Sequence, residues 1–462
     1  MRLHDFLPPG EPTDAALARG KSLRSDVPRS SHAEPALPAD RDPLALVEAA
    51  HTARDPELVG IRVARMTQSA FAFYRATADV MAADLAGGTT TGVDLVVSAD
   101  AHLANFGLYA SPERRLVFDL NDFDESGIGP WEWDVKRLAV SVDLALRERD
   151  ESAKARRAAV ADTVCAYRDA LRALCTGSAL DRYFYSVDAD WLSDATDGKA
   201  GKRLDASLRR ARRRTSEQVL EKVTTTGEGG DRRIQPDPPV LVPYGTEQLE
   251  RTRAEFDAYL DTLDTDRALL MSQFRVVDVA RRIVGVGSVG TRCSIVLLEG
   301  PSGEPLVMQI KEATPSVLVD PGGREDVFPG HAPSAGREGF RIVSCQRVLQ
   351  AASDPFLGWT VDDDGTEYYW RQFRDMKGDI EIDELSTSGL GRYSRLCARL
   401  LARAHSQSPD AVAVAGYLGR GDVFAEAVAE WSLAYGDTVL EDFEAFTGAV
   451  GDGRFPLGEE YR

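Results

Sequence analysis

Two short stretches decide how this chain is interpreted: Ser98-Ala-Asp-Ala-His-Leu-Ala-Asn-Phe-Gly107 and Asn121-Asp-Phe-Asp-Glu-Ser126. Each follows an apolar run, residues 93 to 97 before the first and residues 115 to 118 before the second, which predicts two strands that deliver acidic loops to one edge. Polar groups at this density are costly to bury unless they bind a metal ion or take part in chemistry. The sequence therefore predicts that the functional site lies here.

The residues of these loops match the needs of a kinase-like phosphotransferase. Asp100 lies five residues before Asn105, and Asp122 opens the second loop. Phosphoryl transfer requires a carboxylate that receives the proton of the attacking hydroxyl, and an amide oxygen and a second carboxylate that hold magnesium against the nucleotide phosphates. Asp100 is the candidate base, and Asn105 and Asp122 are the candidate metal ligands. Taken alone, the same residues are equally compatible with solvated turn acids.

A second motif lies far downstream. A strand-like run, residues 275 to 284, leads into Gly285-Val-Gly-Ser-Val-Gly290, and two further strand-like runs follow, the last ending in Lys311. Because a strand and not a helix follows the glycine loop, the pattern disfavours a dinucleotide-binding fold and favours a flap whose backbone amides close over phosphates. The candidate nucleotide-binding residues are Gly285, Gly287, Ser288, Gly290 and Lys311. The alternative is a plain hairpin with Lys311 as an edge charge.

The order of the elements predicts the fold. After Lys311 the pattern indicates a helix at residues 339 to 350, strands at 356 to 361 and 368 to 373, and an amphipathic helix ending at His405. This is the order of a kinase small lobe, which ordinarily precedes the catalytic loop but here follows it. We therefore predict an α+β, circularly permuted protein-kinase-like two-lobed fold with a small antiparallel-sheet lobe and a mainly helical large lobe.

The predicted organisation has four parts. Residues 1 to 45, rich in Pro, Ser and charges, are expected to form an extended arm with little regular structure. Residues 46 to 270 would provide large-lobe helices and the catalytic and metal loops, residues 271 to 385 the small nucleotide-binding lobe, and residues 386 to 462 the helices that complete the large lobe.

The chain also resembles a known family. The stretches that carry the resemblance are Pro28-Arg-Ser-Ser-His32, Phe71-Ala-Phe-Tyr-Arg75, the two acidic loops, Gly129-Pro-Trp-Glu-Trp-Asp-Val-Lys-Arg137, residues 285 to 292, Arg374-Asp-Met-Lys-Gly378 and Leu401-Ala-Arg-Ala-His405. They are similar, over nearly the whole chain, to the bacterial domain-of-unknown-function family 2252. That family is grouped with the protein-kinase-like and aminoglycoside-phosphotransferase-like superfamily, so the resemblance implies ATP and Mg2+. It also implies the same roles for Asp100, Asn105, Asp122 and Lys311, with Asp134 bracing the catalytic loop.

Several positions depart from the family pattern. Ala99 and Ala76 stand where the family usually has glycine, and Phe340 stands where an acidic residue is expected before Arg341, leaving Glu338 as an imperfect substitute. Residues 437 to 440, Asp-Thr-Val-Leu, replace an Asp-Gln-Asn-Glu run. A lysine without its carboxylate partner is less well positioned. A catalytically impaired, nucleotide-binding or regulatory pseudokinase is therefore the main alternative.

Two other functions stay open. The same scaffold could transfer a nucleotidyl group with ATP inverted. A binuclear metal phosphoesterase could use Asp100, His102, Asp119, Asp122 and Asp124 as ligands. The chain has only six histidines and no Gly-Asn-His stretch, which counts against the phosphoesterase.

Composition limits the partners. A net charge of −19 argues against a nucleic-acid surface, although the basic run at residues 202 to 214 is either a solvated helix face or a surface for an acidic substrate. The five cysteines are widely spaced, the N-terminus lacks the apolar core of a signal peptide, and no apolar run approaches membrane-spanning length. We expect a cytoplasmic protein that binds a nucleotide and an unidentified small-molecule or peptide acceptor, and neither nucleic acid nor membrane.

Overall fold

The computed structural model describes residues 11–186, 223–226, 232–283, 290–325, 337–373 and 378–458. The flap residues Gly285, Gly287 and Ser288, the basic run and most of the segment 374–378 lie outside the described residues. The described chain is an α+β structure with a large sheet, three smaller antiparallel sheets and many helices.

The helices are α1 (Thr13–Asp26), α2 (Pro43–Thr52), α3 (Pro56–Met66), α4 (Ala70–Ala76), α5 (Ala78–Ala86), α6 (Trp131–Arg147), α7 (Ala153–Cys175), α8 (Ala179–Phe184), α9 (Thr246–Leu260), α10 (Thr265–Met271), α11 (Glu338–Leu349), α12 (Thr387–His405), α13 (Ala411–Leu418) and α14 (Val423–Gly451). The strands are β1 (Asp94–Val97), β2 (Phe106–Ala110), β3 (Leu116–Leu120), β4 (Gly127–Pro130), β5 (Thr224–Thr226), β6 (Arg232–Ile234), β7 (Leu241–Pro243), β8 (Arg275–Arg282), β9 (Cys293–Glu299), β10 (Pro305–Glu312), β11 (Gly358–Val361), β12 (Glu367–Gln372) and β13 (Gly378–Asp379).

The helical core is built around α6, which is buried along almost its whole length. Helix α12 packs beside it through an apolar face that includes Leu390, Tyr393, Cys397 and Leu401, spaced three or four residues apart as one side of a helix requires. Its first turn is capped by the side chain of Ser386, which accepts a hydrogen bond from Gly389 N at 3.1 Å. The apolar residues whose spacing predicts this helix are thus the residues that are buried in the core.

The main sheet is antiparallel with the strand order β11-β12-β10-β9-β8-β7. Helix α11 lies between β10 and β11 in the chain and packs against β11 and β12. Helices α9 and α10 cover part of the sheet through Phe256, Tyr259 and Met271. This body therefore includes elements that precede residue 271, the boundary predicted from the sequence.

Short sheets carry the acidic loops. Strand β1 pairs with β4, and β2 pairs with β3 so that Phe106 lies opposite Leu120. Because β2 begins where the first loop ends and β3 ends where the second loop begins, antiparallel pairing brings the two loops together. Asn121 N extends the ladder by donating to Asn105 O at 2.9 Å. Strand β3 extends two residues beyond the predicted residue 118 and so includes Asp119.

The N-terminal segment differs from its prediction. The part of residues 1 to 45 that the structure describes contains helix α1 and a 3-10 turn at Arg29–Ala33, and is not an extended arm. Helix α1 lies on α13, where Gly20 meets the backbone of Ala413 and Gly416 meets the backbone of Leu17 too closely for any Cβ. The buried face of α1 is formed by the small residues Ala16 and Gly20, with Leu17 and Leu23 only partly buried, so its apolar stripe is weak and the composition suggested an arm.

Among the described helices none is long and apolar enough to cross a bilayer.

Candidate functional site

The first acidic loop presents Asp100 at the edge of the helical core. Arg137 of α6 donates to Asp100 Oδ1 from Nε at 2.9 Å, and its Nη2 lies 2.8 Å from the same oxygen. Arg137 is itself held by Tyr74, whose carbonyl accepts from Nη2 at 2.8 Å and whose ring lies 4.0 Å beneath the guanidinium. The Asp100 side chain keeps 19% of its surface exposed, so it is oriented by Arg137 and still reachable.

Asn105 is fixed with its amide nitrogen turned toward Asp100. Its Nδ2 donates to the Asp100 carbonyl at 2.6 Å and to Asp100 Oδ2 at 3.2 Å. Since the nitrogen is occupied, the amide oxygen is the atom of Asn105 that can bind a cation.

A buried network braces this loop from below. Asp134 Oδ2 accepts from Ser98 N at 2.8 Å and contacts His405 Nε2 at 3.0 Å, and His405 Nδ1 lies 2.7 Å from the hydroxyl of Tyr167. The contact to Ser98 is the one expected of a residue that braces the loop. It connects the loop with α6, α7 and the end of α12.

Ala99 adopts a left-handed backbone conformation, with φ of 59°. This region favours glycine because a Cβ crowds the neighbouring carbonyl oxygen. The departure from glycine noted in the sequence therefore falls at a position that is strained by any side chain, immediately before Asp100.

The second loop points its carboxylates into the same space. Phe123 is buried and anchors the loop, and Asp122 has a buried oxygen, Oδ1, with no hydrogen-bond partner among the described residues. The oxygens of Asp124 contact Lys311 Nζ and accept from the hydroxyl of Tyr369 at 2.8 Å. Strand β10, which carries Lys311, and the second acidic loop are thus in direct contact.

Lys311 is nearly sealed from solvent, with 3% of its side chain exposed, against 21% for Asp124. Burial opposes charge on both groups, but their mutual attraction dominates: it holds the pKa of Asp124 below and the pKa of Lys311 above its usual range. Both groups are therefore charged near neutral pH. The proximity of Asp122 raises the pKa of Lys311 further.

Two other carboxyls have the opposite behaviour. Burial raises the pKa of Asp100 to about 6, in spite of its ion pair with Arg137. Burial also raises the pKa of Glu125 to about 7, although its Oε2 accepts from Val317 N at 2.9 Å. Asp100 can consequently receive a proton near neutral pH.

Glu338 does not pair with Lys311. It contacts Arg341 Nε at 2.6 Å, while Phe340 packs edge-on against Trp359 with ring centroids 5.1 Å apart. Arg341 in turn donates to the carbonyl oxygens of Ser126, Asp124 and Thr314. Helix α11 therefore holds the acidic loop through an arginine, and Asp124 replaces a helix carboxylate as the partner of the lysine.

His102 and Asp119 take structural positions. His102 Nδ1 accepts from Ala104 N at 3.2 Å, and burial lowers the pKa of His102 well below its usual value. Both oxygens of Asp119 accept from backbone amides, those of Leu120 and Ala351, each at 2.9 Å. The described part of the chain contains no group of three or more His, Cys, Asp or Glu side chains that could hold a metal ion.

Gly290, the one candidate flap residue that the structure describes, is attached to the helical core. Its carbonyl accepts from Asp55 N at 2.8 Å, and Asp55 pairs with Arg281 of β8 at 3.1 Å. Its φ of +93° suits glycine, and the stem of Arg54 occupies the space that a Cβ would need.

Sequence reasoning missed several of these residues. The sequence pattern assigns no role to Arg137, Arg341 or Tyr369, and it offers Asp124 only as a metal ligand. Arg137 ends the stretch that begins at Gly129, and it lies about one helical turn after Asp134. This position is the sequence signal that could have identified it. The pairing of Asp124 with Lys311, 187 residues apart, has no local signal.

The family model described as "Uncharacterized protein conserved in bacteria (DUF2252)" matches residues 54–449. The chain belongs to this family. The resemblance noted in the sequence is thereby confirmed, and the match includes both acidic loops, Lys311 and helix α12 but not α1. No curated protein and no solved structure matches the chain.

Proposed function

We propose that this protein is an ATP- and magnesium-dependent phosphotransferase of kinase-like fold that acts on a hydroxyl-bearing acceptor. The observation that carries the proposal is the contact between Lys311 and Asp124. This contact brings the lysine of the main sheet next to the second acidic loop, and such proximity is expected if a nucleotide binds between two lobes. Charged groups buried together in this way are costly unless they serve binding or chemistry.

The arrangement of the elements supports the kinase-like part of the proposal. The strand order of the main sheet, with a glycine loop before β9, Lys311 on β10 and a helix before β11, is the order expected for a kinase small lobe. The end of α12 lies beside the first acidic loop, since Asp134 contacts His405 Nε2 at 3.0 Å and accepts from Ser98 N at 2.8 Å. An unpermuted kinase would connect these two segments directly, so their proximity supports a circular permutation.

The chemistry assigned to the loops follows from their contacts. Asp100 would receive the proton of the acceptor hydroxyl, and Arg137 would hold its carboxylate in place. With a pKa of about 6, Asp100 is mostly ionised at neutral pH and can still bind a proton. Lys311 would orient the phosphates, and the backbone at Gly290 would lie at the edge of the flap.

The residues present fit a magnesium ion. Asp122 has a buried carboxylate oxygen without a hydrogen-bond partner in the described chain, which is unfavourable unless a cation or a donor occupies the space. Asn105 offers its amide oxygen nearby. Bound Mg2+ would neutralise charge on the phosphates, and it usually keeps waters and phosphate oxygens as further ligands, so a cluster of three protein carboxylates is not required.

One alternative has specific support. Lys311 is engaged by Asp124 and not by a helix carboxylate, and Ala99 strains the backbone beside the candidate base. Both features favour a nucleotide-binding pseudokinase with weak or no turnover. The phosphoesterase is disfavoured because both oxygens of Asp119, one of its candidate metal ligands, accept hydrogen bonds from backbone amides. Nucleotidyl transfer on the same scaffold is distinguished from phosphoryl transfer by the products formed from ATP.

The test is nucleotide-dependent thermal stabilisation with and without magnesium, followed by analysis of the products of consumed ATP. We expect ATP to stabilise the protein in a magnesium-dependent manner and Asp100→Asn to abolish turnover while retaining ATP binding. Asp266→Asn, at a carboxylate that is 74% exposed, is the control and should keep full turnover. Unchanged turnover in Asp100→Asn rejects the assigned base, and stabilisation without turnover in the wild type favours the pseudokinase.

A further inference from the structure

Arg371 shares a face of the main sheet with Lys311. Gln309 lies opposite Arg371 and Lys311 lies opposite Tyr369 in the pairing of β10 with β12. Because residues two apart on a strand and residues directly opposite on its neighbour share one face, these four side chains project together. Lys311 and Tyr369 both reach Asp124, so this face is the one turned toward the acidic loops.

The guanidinium of Arg371 is held from one side. Its Nε donates to Gln309 Oε1 at 2.8 Å, and Gln309 Nε2 contacts Cys293 Sγ at 3.1 Å. The ring of Tyr369 lies 5.6 Å from the guanidinium carbon. The terminal nitrogens of Arg371 make no hydrogen bond to any other residue that the structure describes, although Asp122 and Asp124 are close enough to stabilise its charge.

Two groups without a hydrogen-bond partner in the described chain therefore face the same space. The terminal nitrogens of Arg371 are donors in a fixed fork, and Asp122 Oδ1 is a buried acceptor. No ion pair joins Arg371 to Asp122 among the described residues, so each retains the capacity to bind a ligand. A phosphate accompanied by a divalent cation satisfies both, because its oxygens accept from arginine and the cation binds the carboxylate.

The rest of this sheet face is already covered. Ile295, Val307 and Phe373 continue it beyond Gln309 and Arg371, and they form one buried cluster with Ile234 of β6 and Leu241 of β7. A planar base has no apolar surface left to stack on in this part of the face. The groups that remain at Lys311 and Arg371 are cationic.

We propose that Arg371 is a second phosphate-binding side chain beside Lys311, and that this face of the sheet receives a polyphosphate chain and not a base. The proposal rests on the proposed function, since it names the part of the nucleotide that the cleft recognises. Arginine suits this role because its fork can bind two phosphate oxygens at once.

The experiment measures binding of magnesium tripolyphosphate, ATP and adenosine by titration calorimetry. We expect the wild type to bind tripolyphosphate within about tenfold of ATP and adenosine far more weakly, because the phosphates supply most of the affinity. Arg371→Gln should weaken tripolyphosphate and ATP by about tenfold or more, as expected for the loss of charge-assisted hydrogen bonds. Arg371→Lys should recover part of that loss.

The matched control is Arg275→Gln. Arg275 is 65% exposed and pairs with Glu299, and its replacement should leave all three affinities unchanged. Unchanged affinity for tripolyphosphate in Arg371→Gln, or a wild type that binds ATP and adenosine equally well but not tripolyphosphate, overturns the proposal and leaves the phosphotransferase intact. A wild type that binds neither ATP nor tripolyphosphate overturns both. If Arg371→Gln does not fold, the double variant Arg371→Lys/Gln309→Leu replaces it, because it lacks the contact between residues 309 and 371. Undiminished binding of tripolyphosphate by the double variant overturns the proposal.

Discussion

Ala99 stores strain directly beside the candidate base. A residue other than glycine in the left-handed region costs about 1–2 kcal/mol, and φ of Ala99 is 59°. Such strain is common where a loop must present a functional side chain, and here the Asp134 contact to Ser98 and the Arg137 contact to Asp100 hold the loop on either side.

Replacing Ala99 by glycine should relieve this strain. We expect Ala99→Gly to raise the free energy of unfolding in urea by up to about 1 kcal/mol, the relief being partly offset by the greater freedom of glycine in the unfolded chain. Ala104→Gly, in the same loop but without a positive φ, is the control and should lower stability. Equal destabilisation by both variants would contradict the strain at Ala99.

Glu125 should make stability depend on pH. Its pKa is raised to about 7 when folded, so the native state binds its proton more tightly than the unfolded state does. The sign follows by linkage: ionising Glu125 disfavours the native state, and stability is lost as pH rises through the window from about 4.5 to about 7.

Glu125→Gln removes this titration. Its free energy of unfolding minus that of the wild type should increase as pH rises from 4.5 to 7, measured by urea unfolding at several pH values. Glu247→Gln, at a side chain that is 93% exposed, should track the wild type at every pH. A constant difference between Glu125→Gln and the wild type across that range would show that the carboxyl is not perturbed.

At the scale of elements, helix α11 and the second acidic loop are joined by Arg341. The guanidinium donates to three backbone carbonyls, those of Ser126, Asp124 and Thr314. A helix that holds a loop by its backbone fixes the position of the loop without depending on the side chains that bind the ligand. This arrangement explains how the lysine can lack a carboxylate partner on α11.

Arg341→Met should therefore loosen the acidic loop. Leaving buried carbonyls unsatisfied costs about 1–3 kcal/mol each, so we expect a loss of about 3 kcal/mol of stability and weaker magnesium-dependent nucleotide binding. Glu338→Gln leaves the three carbonyl contacts in place and should have a much smaller effect. If the two variants lose nucleotide binding to the same extent, the salt bridge with Glu338 and not the loop contacts positions the site.

At the scale of the whole molecule, α1 attaches the N-terminal segment to α13, almost the length of the chain away. Arg24 Nε donates to Tyr417 O at 2.8 Å and Arg29 Nη1 donates to Leu418 O at 2.7 Å. The close approach depends on Gly20 and Gly416. Satisfying the last carbonyls of α13 with arginines replaces a conventional helix cap.

Gly20→Ala should separate these helices, because its Cβ would overlap the carbonyl of Ala413. We expect faster proteolysis within residues 11–40 and a loss of about 2 kcal/mol or more of stability from overpacking. Gly421→Ala, where a Cβ meets nothing within 4 Å, is the control. Unchanged protease resistance in Gly20→Ala would contradict the contact.

The sequence predicted what local pattern and periodicity encode. The apolar stripe of α12 and the strand-like runs around Lys311 identify these elements because their spacing matches a helix face and a pleated strand. Helix α1 could not be predicted in this way, since its fully buried face consists of the small residues Ala16 and Gly20. The end of β3 could not be predicted either. The strand continues two residues beyond the predicted end, so Asp119 is a strand residue. The pairing of Lys311 with Asp124 depends on the tertiary fold alone.

The central claim is that the lysine strand and the acidic loops enclose one magnesium–nucleotide site. The most direct measurement is the affinity of ATP with and without Mg2+ for the wild type, Asp122→Asn and Lys311→Met, with Lys154→Met on the exposed side of α7 as the control. The account predicts that magnesium tightens ATP binding in the wild type and in Lys154→Met, that Asp122→Asn removes the magnesium effect, and that Lys311→Met weakens ATP in both conditions. Magnesium-dependent ATP binding that is unchanged in both Asp122→Asn and Lys311→Met would contradict it.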